Sequence, residues 1–111
     1  MFNRIPAILL APVIAVAQPA VAEARLADLL CPMIIEIAEN AMKGHQGGTP
    51  MTAMLEVAQE ARKSDAAVGQ LVEDIILAAY EKPRYRTAEA KLREVEIFRD
   101  EAAVACWKNL D

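Results

Sequence analysis

Residues 68–85 read VGQLVEDIILAAYEKPRY, and the reading of this stretch decides the fold. On a helical wheel at about 100° per residue, Val68, Ile75, Ile76 and Ala79 fall within roughly 60° of Val72. Leu71 and Tyr80 flank them, and Gln70, Glu73, Asp74 and Glu81 take the other side, with Leu77 as the one misfit. The apolar arc is about 180–200° wide, whereas a helix lying on a surface needs only about 100°. A helix this apolar predicts contact with more than one neighbour and therefore a central place. Pro83 ends it, because proline disfavours helical geometry at Lys82 and lacks the next donor.

Beyond Pro83 the chain turns through a short basic segment and starts another helix. Thr87 is positioned to cap it, with Glu89 in the first turn. Ala88, Leu92, Val95, Phe98, Ala102 and Cys106 then recur at helical spacing, and Lys108-Asn109 closes the run. Upstream, Thr49 and Pro50 read as the cap and first position of a helix whose inner stripe is Met51, Met54, Leu55 and Ala58. Ser64 and Asp65 read as the cap and acidic first turn of the helix that follows; one unbroken helix from Pro50 to Glu81 is the competing reading. Earlier still, a helix from Asp28 or Cys31 to Lys43 carries Leu30, Ile34, Ile37, Ala38 and Ala41. Pro32 falls in its first turn and Gly44 is its expected stop. The segment Gly44-His45-Gln46-Gly47-Gly48 then reads as a loop. No strand-like alternation or internal repeat interrupts the helical pattern. The expectation is an all-α fold, a small four-helix up-down bundle.

Residues 1–22 have the layout of a cleaved signal peptide. Arg4 is the positive start, residues 5–17 are apolar and uncharged, and Ala20-Val21-Ala22 fits a small-x-small cleavage pattern, with Ala22-Glu23-Ala24 as a second option. The apolar run is shorter than the roughly 20 residues that a comfortable membrane span needs. The domain is then residues 23–111, which is 89 residues, and its address is periplasmic or secreted. No stable membrane span is expected after cleavage.

The mature part keeps all 16 acidic residues but only 11 of the 12 basic ones, a net charge of −5. That balance argues against nucleic acid and against an anionic membrane surface as partners. The cysteines are two, Cys31 and Cys106, and in an exported chain an even count implies a disulfide. It would close a loop of 75 residues, where loop entropy gives on the order of 4 kcal/mol as an upper figure. A bundle with short loops brings the start of its first helix to the end of its last. The cysteines sit at those two places, so the disulfide and the loop lengths ask for the same topology.

Catalytic chemistry is not signalled. His45 is the only histidine and reads as a solvated loop residue. No Glu-x-x-His unit of a di-metal bundle is present, no phosphate loop and no Ser-His-Asp arrangement. Neither a catalytic residue, a metal ligand nor a cofactor is assigned, and the chain is not read as an enzyme. Met33, Met42, Met51 and Met54 read as core, and Trp107 as a cover over the disulfide. The most pointed local feature is the turn of Tyr80, Lys82, Arg84, Tyr85 and Arg86, where three cations and two tyrosines gather. Tyrosine and arginine dominate binding hot spots, which makes this turn the candidate contact for an acidic partner.

The leader, the first cysteine, the glycine-rich segment, the Met-rich helix, Ala79 to Thr87 (AYEKPRYRT) and the last cysteine together resemble small exported helical proteins of bacteria and phages. The resemblance implies export and a helical fold, and no activity. In size, single disulfide and helical content the chain is also similar to periplasmic acid-stress chaperones. The functional expectation is a periplasmic binding protein, of inhibitor, immunity or accessory type, contacting another periplasmic or extracellular protein. An acid-stress holdase, whose carboxylates would be neutralised at low pH, is the alternative. The non-reducing intact mass of the exported protein is expected to match residues 23–111, or 25–111, less two hydrogens. A mass that retains the leader, or that rises on alkylation without prior reduction, contradicts this reading.

Overall fold

The structure is a computed structural model that describes residues 26–110; the expected signal peptide lies outside these residues. The described residues form four helices: α1 (Leu26–Gly47), α2 (Met51–Ser64), α3 (Ala66–Tyr80) and α4 (Ala88–Asn109). They make the expected all-α up-down bundle, flattened so that the packing order is α2, α3, α1, α4. α3 lies against both α2 and α1, as its broad apolar arc requires. α4 is held almost entirely by α1.

Two clusters of buried side chains make the interior. The larger joins Ala38, Ala41 and Met42 of α1, Ala58 of α2, Val72, Ile76 and Ala79 of α3, and Val95 and Phe98 of α4. Alanines on α1 and α3 suit the close diagonal approach of these two helices. Met42 and Ile76 are the largest fully buried apolar side chains beside the disulfide, and each such burial contributes about 1.5–3 kcal/mol. The smaller cluster surrounds the Cys31–Cys106 disulfide, whose Cα atoms lie 5.8 Å apart. Ala27 and Ile34 bury it, with Leu30 and Leu110 alongside. Trp107 is more than a third exposed and is not the cover the sequence suggested.

Several boundaries differ from the sequence reading. α1 does not stop at Gly44 but continues through His45 and Gln46 to Gly47. The reversal comes at Gly48, whose φ of 90° is the left-handed conformation that glycine adopts without penalty. There the Gly48 N–H donates to the His45 carbonyl and the Thr49 N–H to the Gly44 carbonyl, the paired bonds of a Schellman end. Gly44 serves instead for close approach: a Cβ there would lie 3.2 Å from the Met54 sulfur. Pro32 is interior rather than in the first turn, because α1 already runs from Leu26. The Asp28 carbonyl thereby loses its helical donor, near two residues that are both exposed.

Thr49 does not cap α2. Its N–H is used in closing α1, and Pro50 occupies the N-cap position without a side-chain bond. Between α2 and α3 the helix breaks as expected, one residue later than the cap assigned to Ser64. Asp65 is extended and its carboxylate accepts from the Ala67 and Val68 N–H groups. Thr87 caps α4 as expected, accepting from the Ala90 N–H at 3.1 Å. Leu92 is exposed, as is Ala88, because α4 turns Val95, Phe98 and Cys106 inward and these two fall off that face. Of the methionines, Met42 is buried and Met54 half-buried, whereas Met33 and Met51 are exposed.

The one-residue link between α2 and α3 requires a close crossing, and Gly69 provides it. A Cβ on Gly69 would lie 2.8 Å from both the backbone N and the Cα of Arg62. Backbone cannot swing aside as a side chain can. Gly69→Ala is therefore expected to destabilise the fold by about 1–3 kcal/mol, the usual cost of overpacking, despite the better helix propensity of alanine. Denaturant unfolding of the two proteins checks this, and equal midpoints would contradict the crossing.

Candidate interaction surface at the α3–α4 turn

The basic turn joining α3 to α4 packs against the last turn of α1. Gln46 does most of the joining. Its side-chain oxygen accepts from the Tyr85 N–H at 2.9 Å, and its amide nitrogen donates to the Pro83 carbonyl at 2.9 Å. The His45 Nε2 donates to the Lys82 carbonyl at 2.6 Å, and its ring lies against that of Tyr80 with centroids 4.5 Å apart. His45 and Gln46 are both buried. Three of the four residues from Lys82 to Tyr85, all but Arg84, thus have backbone groups tied to two side chains of α1. Losing either partner would leave a buried polar group unsatisfied, at about 1–3 kcal/mol.

Two further bonds complete this end of the bundle. The Lys91 ammonium of α4 donates to the Gln46 carbonyl at 2.7 Å, placing a cation on the negative end of the α1 dipole. The Tyr80 hydroxyl donates to the Thr49 carbonyl at 2.6 Å. Tyr80 is held above the ordinary phenol value of 10.0, chiefly by burial, with the Arg84 charge pulling the other way.

The five residues singled out in the sequence are therefore brought together but placed differently. Tyr80 is half-buried, with its hydroxyl engaged inside the protein. Lys82 is half-buried, 3.8 Å from Glu101 on α4. Arg84, Tyr85 and Arg86 are exposed. Arg84 lies over Gly48, where a Cβ would approach its guanidinium to 3.1 Å. Among the described residues neither Arg84 nor Arg86 has an acidic partner. Two free guanidinium groups flank one exposed aromatic ring on a backbone that has little freedom.

The sequence reads His45 as a solvated loop residue and Gln46 as part of the same loop, and the structure corrects both, since each is helical and buried. The signal was present: Cys31, Ile34, Ala38, Ala41 and His45 continue a single helical stripe straight through Gly44. No group of three or more metal-ligating side chains comes together among the described residues, and no helix there is long and apolar enough to cross a membrane. Comparison with known proteins adds nothing to these observations: no family model, no curated protein and no solved structure matches the chain.

The Tyr80 bond has a pH signature. The raised value means that folding favours the neutral phenol, which alone can donate to Thr49. Its contribution is fully present below pH 10.0, the ordinary value, and is lost as pH rises through the folded value. The native protein is expected to lose stability above pH 10.0 more steeply than Tyr80→Phe, as read by unfolding midpoints taken across the alkaline range. Parallel alkaline limbs would contradict the burial of the neutral phenol.

Proposed function

We propose that this protein is a small exported helical binding module that acts in the periplasm or outside the cell. It contacts an acidic surface of another protein through the α3–α4 turn. The observation that carries this reading is the pairing of a rigid backbone with free charge. Arg84 and Arg86 are exposed and lack acidic partners among the described residues, beside the exposed ring of Tyr85. Gln46 and His45 meanwhile hold the backbone that carries them.

A preorganised turn binds without the cost of ordering a loop, which is about 0.5–1.5 kcal/mol for each side chain immobilised. Arginine can form two parallel hydrogen bonds with a carboxylate, so two such residues favour a surface bearing aspartate or glutamate. The remainder of the mature chain is acidic, which sets the turn apart from its surroundings and steers an acidic partner towards it. Export is supported by the leader pattern and by a disulfide tying the two ends of the domain.

Affinity capture from extract of the producing cell envelope tests the reading. The native chain is expected to retain a specific acidic protein, and Arg84→Glu with Arg86→Glu to weaken its retention at least about tenfold, the scale of close charge pairs at interfaces. Recovery of no specific protein, or equal recovery by the variant, would overturn the proposal.

A further inference from the structure

A second surface lies on the flank of the bundle, away from the turn. In a regular four-helix bundle α3 and α4 would pack along one another. Here they barely approach, and the seam between them is open and apolar. Two shallow clefts of about 240 and 260 Å³ meet at Ile75 and Ala102. Leu71, Ile75 and Ala78 form one bank, and Phe98, Ala102 and Ala105 the other. Each cleft is smaller than the roughly 300–1,000 Å³ of a small-molecule site. Two adjoining small clefts suit successive side chains of one helix better than a single compact ligand.

The charges around the seam say which kind of helix. Asp74 of α3 and Glu101 of α4 face the same cleft from opposite banks. α3 contains no lysine or arginine. Asp74 accepts only from the Gln70 amide at 2.9 Å and has no cationic partner among the described residues. Glu101 meets Lys82 at 3.8 Å, at one end of the seam and partly in solvent. Two like charges across an apolar floor oppose closure of the seam, and they are relieved by a cation placed between them.

We propose that this open seam is a docking site for an amphipathic helix that carries lysine or arginine beside its apolar stripe. From Leu71 to Ala78 the bank runs about 10 Å, two helical turns, at about 1.5 Å per residue. The occupant presents apolar side chains at positions i, i+3 or i+4, and i+7, the usual anchors of a helix in a groove. Its cation sits between Asp74 and Glu101. A second copy of this chain is the poorer occupant, because placing two such seams face to face would bring four carboxylates together. The proposal is independent of the basic turn, which calls for a partner of opposite charge.

The probe is a designed helix of leucine and lysine about 14 residues long, roughly four turns, titrated into the isotope-labelled full mature chain. Amide shifts are expected at Leu71, Ile75, Ala78 and Ala102, with tighter binding at low salt. Asp74→Lys with Glu101→Lys, both exposed positions, is expected to weaken binding at least about tenfold while leaving the unfolding midpoint nearly unchanged. Arg84→Glu with Arg86→Glu is expected to bind the probe as the native chain does, so failure of the turn reading and failure of this one are separable. Shifts elsewhere, equal binding of a leucine–glutamate helix, or self-association that covers the seam without any peptide would each overturn the proposal.

Discussion

The Cys31–Cys106 disulfide is the constraint on which the arrangement depends. α4 is the last of the described helices and packs chiefly on α1. Apart from the bond its attachment rests on Val95, Phe98 and the half-buried Ala102, on the Arg99–Glu39 ion pair with α1 and on the Lys91 contact. The covalent link closes 75 residues of sequence at one stroke, removing from the unfolded chain on the order of 4 kcal/mol of loop entropy. That is a large share of the stability of a domain this size, which is usually about 5–15 kcal/mol. A short chain with few large apolar residues in its interior can in this way keep a helix that its core alone would hold weakly.

The two ends of the bundle are held by different physics. At the Cys31 end the tie is covalent and surrounded by Ala27, Ile34 and Leu110. At the opposite end it is polar. His45 and Gln46 project from the last turn of α1 and satisfy the backbone of the turn between α3 and α4, and Lys91 returns from α4 to cap α1. Hydrogen bonds are directional, so this end fixes the turn's conformation more narrowly than apolar packing would. A surface whose shape is set before binding is the kind on which exposed arginines are most effective, because their geometry carries the specificity.

The elements of the fold could be read from the sequence because each depends on local chemistry. The broad apolar arc around Val72, the break before Pro83, the Thr87 cap and the cysteine positions all act within a few residues or through simple topology. The misread positions depend on what distant parts of the chain do. Gly44 looked like a stop because glycine often is one, but it lies in the helix to admit Met54, and Gly48 makes the reversal. Thr49 has the residue type of a cap, but its backbone belongs to the close of α1 and Pro50 takes the cap position of α2. Leu92 matched the stripe of α4 by spacing, yet α4 packs chiefly on α1 and Leu92 lies off the face that does so. The turn residues could be picked out by composition. Their rigidity could not, because it comes from Gln46, some 39 positions away in sequence from Tyr85.

The open seam follows from the same economy of contacts. The one-residue link at Asp65 and the crossing at Gly69 hold α3 tightly to α2, and the small side chains of the core bring it close to α1. The disulfide and Lys91 meanwhile hold α4 on the far side of α1. Neither helix is then free to move towards the other without disturbing a stronger contact. Closing the seam would bury Leu71 and Ile75 more fully, a gain of order 1–2 kcal/mol at about 25 cal/mol per Å². It would also press the carboxylates of Asp74 and Glu101 together in a drier setting, where like charges repel more strongly. The apolar flank stays exposed because the chain's own tethers and charges oppose covering it. An added helix bearing a cation escapes both restrictions, being bound by neither tether and opposite in charge to the rim.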